Sequence, residues 1–307
     1  MRLPHFRSPM ARPPRPWHWR VAYVLLGLAA CLLPLAAQAQ VADLQARYAQ
    51  LREQLKPNAN GHTLVIDSSE QEDRLTGDVY AVLDHPFAEV STALKEPANW
   101  CEILILPFNT KYCHAVDGPE GAALLLRIGR KVDQPLEQTY RLQLAWRNVA
   151  ATPDYVQSRM EARDGPMGTR DYRITIAAMP LADGRTFMRF TYSYGFGLAG
   201  RMAMQAYLGT VGANKVGFTV VGRDAQGQPQ YIGGVRGAIE RTAMRYYLAI
   251  DAYLDSLKAP PRQQLDRRIQ TWFAATEHYP RQLREMERPA YVAMKRQEAE
   301  RQQTLIE

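Results

Sequence analysis

Val82-Leu83-Asp84-His85-Pro86-Phe87-Ala88-Glu89-Val90 is the stretch whose reading decides the fold, because the hydrophobic period changes within it. Before it, Arg74 to Leu83 alternates, with Leu75, Val79, Ala81 and Leu83 on one side and Thr76, Asp78 and Tyr80 on the other. A period of two is that of a strand with one buried face. After it, Phe87, Val90 and Leu94 share one helical face. Pro86 suits a first helical turn, Asp84 stands where an N-cap belongs, and Pro97 ends the run. A strand therefore hands over directly to a short helix.

Toward the C-terminus, Trp100, Cys101 and the apolar run Ile103 to Leu106 precede a series of strand signals: Ala123 to Val132, Gln138 to Val149, Tyr155 to Ala162, Asp171 to Ala178 and Arg185 to Tyr194. Turns such as Asp164-Gly165-Pro166 and Ala182-Asp183-Gly184 separate them, which implies an antiparallel meander. Tyr140, Leu142, Leu144 and Trp146 oppose Arg141, Gln143 and Arg147; Met188, Phe190, Tyr192 and Tyr194 oppose Arg189, Thr191 and Ser193. One face is thus apolar and aromatic, and the other meets water. Arg201 to Leu208 then reads as helix and Lys215 to Val221 as a further strand. Val235 to Leu257 carries Ile239, Ala243, Tyr246, Tyr247, Ile250, Tyr253, Leu254 and Leu257 at mixed spacings of three and four, a long helix with an apolar stripe broad enough to cover a sheet. Pro260-Pro261 stops it. Toward the N-terminus, Leu44, Tyr48, Leu51 and Leu55 predict an amphipathic helix and Thr63 to Ile66 a short strand.

This order, a strand, a helix opened by Pro86-Phe87, Trp100, a run of antiparallel strands and a long C-terminal helix, resembles the START-like helix-grip superfamily, which includes polyketide cyclases and the Bet v 1 allergens. The resemblance is one of layout, from Arg74 to Leu257, and the segment Gly195 to Gly234 interrupts the usual connection between last strand and last helix. It implies an α+β fold in which a curved antiparallel sheet grips a long C-terminal helix, with a cavity between them for hydrophobic molecules such as lipids, sterols or polyketides. On that expectation Trp100, Trp146, Phe190, Tyr192, Tyr194 and Tyr246 are the candidate ligand-binding residues, with tyrosine hydroxyls able to orient an apolar ligand. Aromatic residues at period two equally suit a plain sheet core.

The N-terminus predicts export. Arg2, Arg7, Arg12, Arg15 and Arg20 precede the apolar run Val21 to Leu35, which Pro34 breaks and which is short for a membrane span. Ala37-Gln38-Ala39 then offers a signal-peptidase site, placing the mature start at Gln40 and the protein in a periplasm. Leu28-Ala29-Ala30-Cys31 competes as a lipoprotein box that would tether the chain at Cys31. The formal charge of +7 contains the five leader arginines, which leaves +2 for the mature chain and no compositional case for nucleic-acid binding. Cys101 and Cys113, in an oxidising compartment, are expected to form a disulfide, with two buried thiols as the alternative. The chain then divides into a signal peptide (1–39), an N-terminal helix and linker (40–73), the helix-grip domain (74–260) and a charged helical extension (261–307) anchored by Trp272, Phe273, Tyr279, Leu283 and Tyr291.

Signals for chemistry are sparse. Gly195-Phe196-Gly197-Leu198-Ala199-Gly200 fits a dinucleotide fingerprint, yet the strand before it alternates instead of being apolar throughout, so it reads as a Gly-rich bend. His85, His114 and Cys113 lack the close spacing of a zinc site, and no G-x-S-x-G elbow occurs. Arg127 and Arg189 read as a solvated outer face unless they point inward to meet a ligand carboxylate or phosphate. No catalytic residue, metal or cofactor is assigned. The leading expectation is a periplasmic binding or carrier protein for a hydrophobic or amphipathic lipid-like ligand. The alternatives are a cavity enzyme of the cyclase or hydratase type, with tyrosine hydroxyls or His114 as proton donors, and an interaction module that docks on an envelope protein through the C-terminal helices.

Overall fold

The computed structural model describes residues 38–58, 61–210, 212 and 214–304. Nearly all of the predicted leader, Cys31 included, lies outside them. Contacts group Leu44–Glu307 as one compact unit, separate from Met1–Asp43, and the account below concerns the former. Its elements are helix α1 (44–51 within this unit), strands β1 (Thr63–Gln71) and β2 (Arg74–Leu83), helices α2 (Phe87–Leu94) and α3 (Pro97–Leu104), strands β3 (Thr110–Gly118), β4 (Gly121–Ile128), β5 (Tyr140–Thr152), β6 (Tyr155–Asp164), β7 (Thr169–Pro180) and β8 (Thr186–Phe196), helix α4 (Leu198–Gly209), the short pair β9 (Val220–Arg223) and β10 (Pro229–Tyr231), and helices α5 (Gly234–Ser256), α6 (Pro261–Glu277), α7 (Pro280–Leu283) and α8 (Arg288–Arg301).

Eight strands form one antiparallel sheet in the order β1-β2-β8-β7-β6-β5-β4-β3. Short turns, and a longer loop between β4 and β5, place each strand of the β3–β8 meander beside its predecessor, and β2 closes the series by pairing with β8, Val79 opposite Phe190. The concave face carries the predicted alternation: Val79, Ala81, Leu142, Leu144, Met188 and Phe190 are all buried. On the outer face α1 covers Tyr80 and Phe187, with Arg47 over the Tyr80 ring and Tyr48 against Phe187. Arg189 lies on that outer side, bonded to Asp78 at 3.0 Å.

Several local expectations are corrected. The α2 N-cap is Pro86, with no side-chain cap; Asp84 instead lies 3.7 Å from Arg185. Strand β4 ends at Ile128, before the predicted Val132, because the chain turns at Gly129, where a Cβ would sit 2.6 Å from the Gln134 carboxamide oxygen. The strand expected from Lys215 narrows to β9, hairpinned with β10. Strand β3 and helix α3 were not anticipated. A disulfide joins Cys101 of α3 to Cys113 of β3, with Cα atoms 5.1 Å apart, and fastens this helix to the sheet edge.

Helix α5 leans on β1, β2 and β8. It comes close because β2 offers Gly77, where a Cβ would stand 3.2 Å from the Ile239 side chain. Its other side is covered too, which the sequence reading did not foresee. Residues 261–301 are a helical layer packed on α5, not an appendage: Trp272, Phe273 and Tyr291 are buried, and the Trp272 indole donates to the Arg245 carbonyl at 3.0 Å. Phe108, Trp272, Phe273 and Tyr291 pack ring on ring at centroid distances of 4.9–5.4 Å.

Helix α8 is fixed by a buried charge cluster. Lys111 and Lys295 donate to opposite oxygens of Glu298 at 3.0 and 2.7 Å. Lys111 also donates to the Phe108 carbonyl, and Lys295 to those of Pro107 and Thr110. Removing one partner of a buried pair leaves charge without compensation. Glu298→Gln is therefore expected to lower the unfolding free energy by roughly 3–5 kcal/mol, measured by chemical denaturation; a loss below about 1 kcal/mol would mean that the cluster does not hold α8.

The same cluster predicts a pH dependence. Burial, reinforced by the Lys111 charge, pushes Lys295 from its ordinary 10.5 down to about 8. Lys111 is lowered as well, again chiefly by burial. The folded protein thus gives up a proton that the unfolded chain keeps, and stability rises with pH between about 8 and 10.5. Urea denaturation across that window should show the rise, and Lys295→Met should flatten it.

Candidate ligand cavity

Because α5 rests on β1, β2 and β8, the space between it and β4, β5 and β7 remains open. It is a cavity of about 780 Å³, within the ordinary range for small-molecule sites. Its floor is aliphatic: Leu104 of α3, Leu126 and Ile128 of β4, Leu142 and Leu144 of β5, and Ile174 of β7. These strand residues recur at period two, which is why all of them face inward.

Tyrosines form one wall. Tyr172, Tyr192, Tyr194 and Tyr246 line the cavity and pack against one another, with Tyr172 and Tyr194 at 5.4 Å and Tyr192 and Tyr246 at 5.5 Å. The Tyr172 hydroxyl lies 2.8 Å from that of Thr169. Burial, with the neighbouring phenols as the next cause, pushes Tyr192 well above its ordinary range. Burial likewise raises Tyr172, Tyr194 and Tyr246. These hydroxyls stay protonated at neutral pH, so they can donate hydrogen bonds to a ligand but do not serve as bases.

A basic pole faces the floor. Ala238, Arg241, Thr242, Arg245 and Tyr246 line the cavity from one side of α5, as helical spacing requires. Arg245 and Lys131 both donate to one oxygen of Glu285, at 2.5 and 2.6 Å. Arg241 donates to the Val216 carbonyl at 3.3 Å. Lys131 sits in the loop after β4, which Gln134 orders by accepting from the Arg130 amide and donating to the Gln138 carbonyl. Desolvation first, then the charge of Arg245, pushes Lys131 down to about 8 against the pull of Glu285. Lys131, Val132, Met167 and Met204 also line the cavity, and Val132 and Met167 are exposed, at 50% and 57%.

Of the six residues expected to bind ligand, Tyr192, Tyr194 and Tyr246 line this cavity and three do not. Trp100 is wholly buried and its indole donates to the Leu94 carbonyl at 2.9 Å, bracing α2 against α3. Phe190 is wholly buried against the Tyr246 ring. Trp146 shares the concave side with Leu142 and Leu144 but packs on the core beyond the cavity. Tyr172, Arg241, Arg245, Lys131 and Glu285 were not anticipated. Arg241 and Arg245 stand on the face of the long helix opposite its apolar stripe, where sequence reads a cation as solvated.

The other candidates fall elsewhere. His114 is not in the lining; its ring contacts the Gln302 carbonyl at 3.1 Å, so it cannot reach a cavity ligand. His85 is buried facing Asp255 at 3.5 Å and Glu89 at 3.8 Å. Burial lowers its pKa. Among the described residues no cluster of three or more His, Cys, Asp or Glu is arranged to hold a metal ion. The Gly-rich bend carries β8, antiparallel to both neighbours, into α4, so it lacks the parallel strand that a dinucleotide site requires.

No family model and no curated protein sequence matches the chain. Solved structures do. Human StAR-related lipid transfer protein 5 matches at 8% identity, over 72% of this chain and 100% of that one, with a TM-score of 0.35. Norcoclaurine synthase from Thalictrum flavum matches at 14% identity, over 49% and 82%, with a TM-score of 0.32. A structural-genomics protein from Nitrosospira multiformis matches at 18% identity, over 44% and 87%, with a TM-score of 0.27. The order of the elements, and the antiparallel sheet packed against a long C-terminal helix, make this an α+β helix-grip fold.

Proposed function

We propose that the protein binds or carries a hydrophobic or amphipathic lipid-like molecule in the cavity between sheet and α5, and does so in the periplasm. The observation that carries the reading is the cavity itself: about 780 Å³, floored by aliphatic side chains and edged by a few polar groups. Apolar surface facing such a space gains by covering itself with an apolar ligand. The leader-like N-terminus and the Cys101–Cys113 bond support an oxidising compartment.

Organic extraction of the protein purified from a membrane-containing lysate, followed by mass spectrometry, is expected to release one lipid-like molecule in stoichiometric amount. Leu144→Trp places an indole in the floor and should cut the recovered molecule on the order of tenfold, since a filled cavity cannot accept it. Equal recovery from both proteins would put the molecule outside the cavity and sink the reading.

A further inference from the structure

Beside the main cavity lies a smaller chamber of about 110 Å³, between α4 and the ends of β1, β2 and β8. Leu75, Phe196 and Val235 form its apolar side, and the exposed residues Glu70, Arg201 and Gln205 edge it toward solvent. Among the described residues, Thr169, Tyr194, Gly200 and Met204 line both spaces. These four are the partition between them.

The partition owes its position to the Gly-rich bend between β8 and α4. At Gly200 a Cβ would stand 3.1 Å from the Phe196 side chain and 3.4 Å from the Gly168 carbonyl oxygen, so glycine lets α4 lie close to the end of β8 and to the turn before β7. Met204 follows one helical turn later on the same side of α4. It packs on the apolar cluster of Leu75, Tyr194, Phe196 and Ile239. The other members of the partition are fixed in shape. Gly200 has no side chain, the Tyr194 ring stacks on Tyr172 at 5.4 Å, and the Thr169 hydroxyl meets both the Pro166 carbonyl and the Tyr172 hydroxyl. Met204 alone of the four is long, unbranched and adaptable, the kind of side chain that fits itself against an alkyl chain.

We infer that Met204 sets the length of chain the cavity accepts: an alkyl chain laid over the aliphatic floor ends against Met204, and the chamber behind is space that this side chain withholds. This rests on the cavity being a ligand site and adds the rule by which it selects among straight-chain ligands. Truncating Met204 joins the two spaces, and each further methylene that then leaves water gains roughly fourfold in affinity.

The test uses the full chain with nile red, an apolar dye, displaced in turn by saturated fatty acids from laurate to behenate. Binding to the wild type should tighten with each added pair of carbons up to one length and weaken beyond it. Met204→Ala, which puts the best helix former at a partly buried helical position and so keeps the fold, should move the optimum to a longer acid. The first acid beyond the wild-type optimum should then bind on the order of tenfold more tightly than it does to the wild type. Met204→Leu keeps the partition and should leave the optimum in place. Adding Val235→Trp to Met204→Ala refills the chamber from α5 and should return the optimum to its wild-type length. An optimum unmoved in Met204→Ala, or one that moves and stays long after Val235→Trp, overturns the inference and leaves the cavity reading intact. So does nile red that binds but yields to none of the acids. If nile red itself fails to bind, the cavity reading falls and the inference falls with it.

Discussion

Helix α5 is buried on nearly every side, and its apolar residues must be covered on more than one face. Ile239, Ala243, Tyr247, Ile250 and Leu254 form one buried face, and Met244, Leu248 and Ala252 on the opposite side are buried too. A curved sheet can cover only one side. The remainder is covered by α6 and its successors, so the helices that follow Pro260 are a condition of the fold, and their charged composition conceals a packed inner surface. The sheet and these helices together hold α5 from two directions, and this lets it stand clear of β4, β5 and β7 without collapsing onto them. The cavity is a product of that suspension.

Buried charge is used in two ways in this structure. At the foot of α8 two ammonium groups and one carboxylate are surrounded by backbone carbonyls, and the cluster fixes geometry. At the cavity Lys131 and Arg245 meet Glu285 beside an open volume. A third polar centre, Glu240, accepts from Ser68, from the amides of Phe218 and Thr219 and from the Thr219 hydroxyl. That carboxylate binds the segment between α4 and α5 to the first turns of α5 and to β1, so the part of the chain that departs from the plain helix-grip layout is tied at its base.

The fold was legible where one physical signal dominated. Period-two alternation located β2 and the β5–β8 meander, and the long stripe located α5 within a residue of its ends. Strand β3 was hidden because Thr110-Lys111-Tyr112-Cys113-His114 shows no apolar alternation; Lys111 is buried only by virtue of Glu298, far away in the chain. The layer from 261 to 301 looked solvated for the same reason, since a lysine neutralised by a tertiary partner cannot be told in sequence from one in water. For the site, the tyrosines were readable as an aromatic face, but which aromatics meet the cavity depends on where α5 leaves the sheet, and that is set by packing at Gly77 and by the outer helices. The basic pole required knowing which way two arginines turn.

The bond between Lys111 and Glu298 spans 187 positions of sequence, and the one between Tyr291 and Leu106 spans 185. Closing so long a loop costs conformational entropy before any contact rewards it, and chains ruled by distant contacts fold slowly. The meander can assemble from neighbouring hairpins, yet α5, which rests on it, stays uncovered on its other side until the distant segment arrives. For an interval during folding, then, an aliphatic surface that is later enclosed lies open to any other apolar molecule.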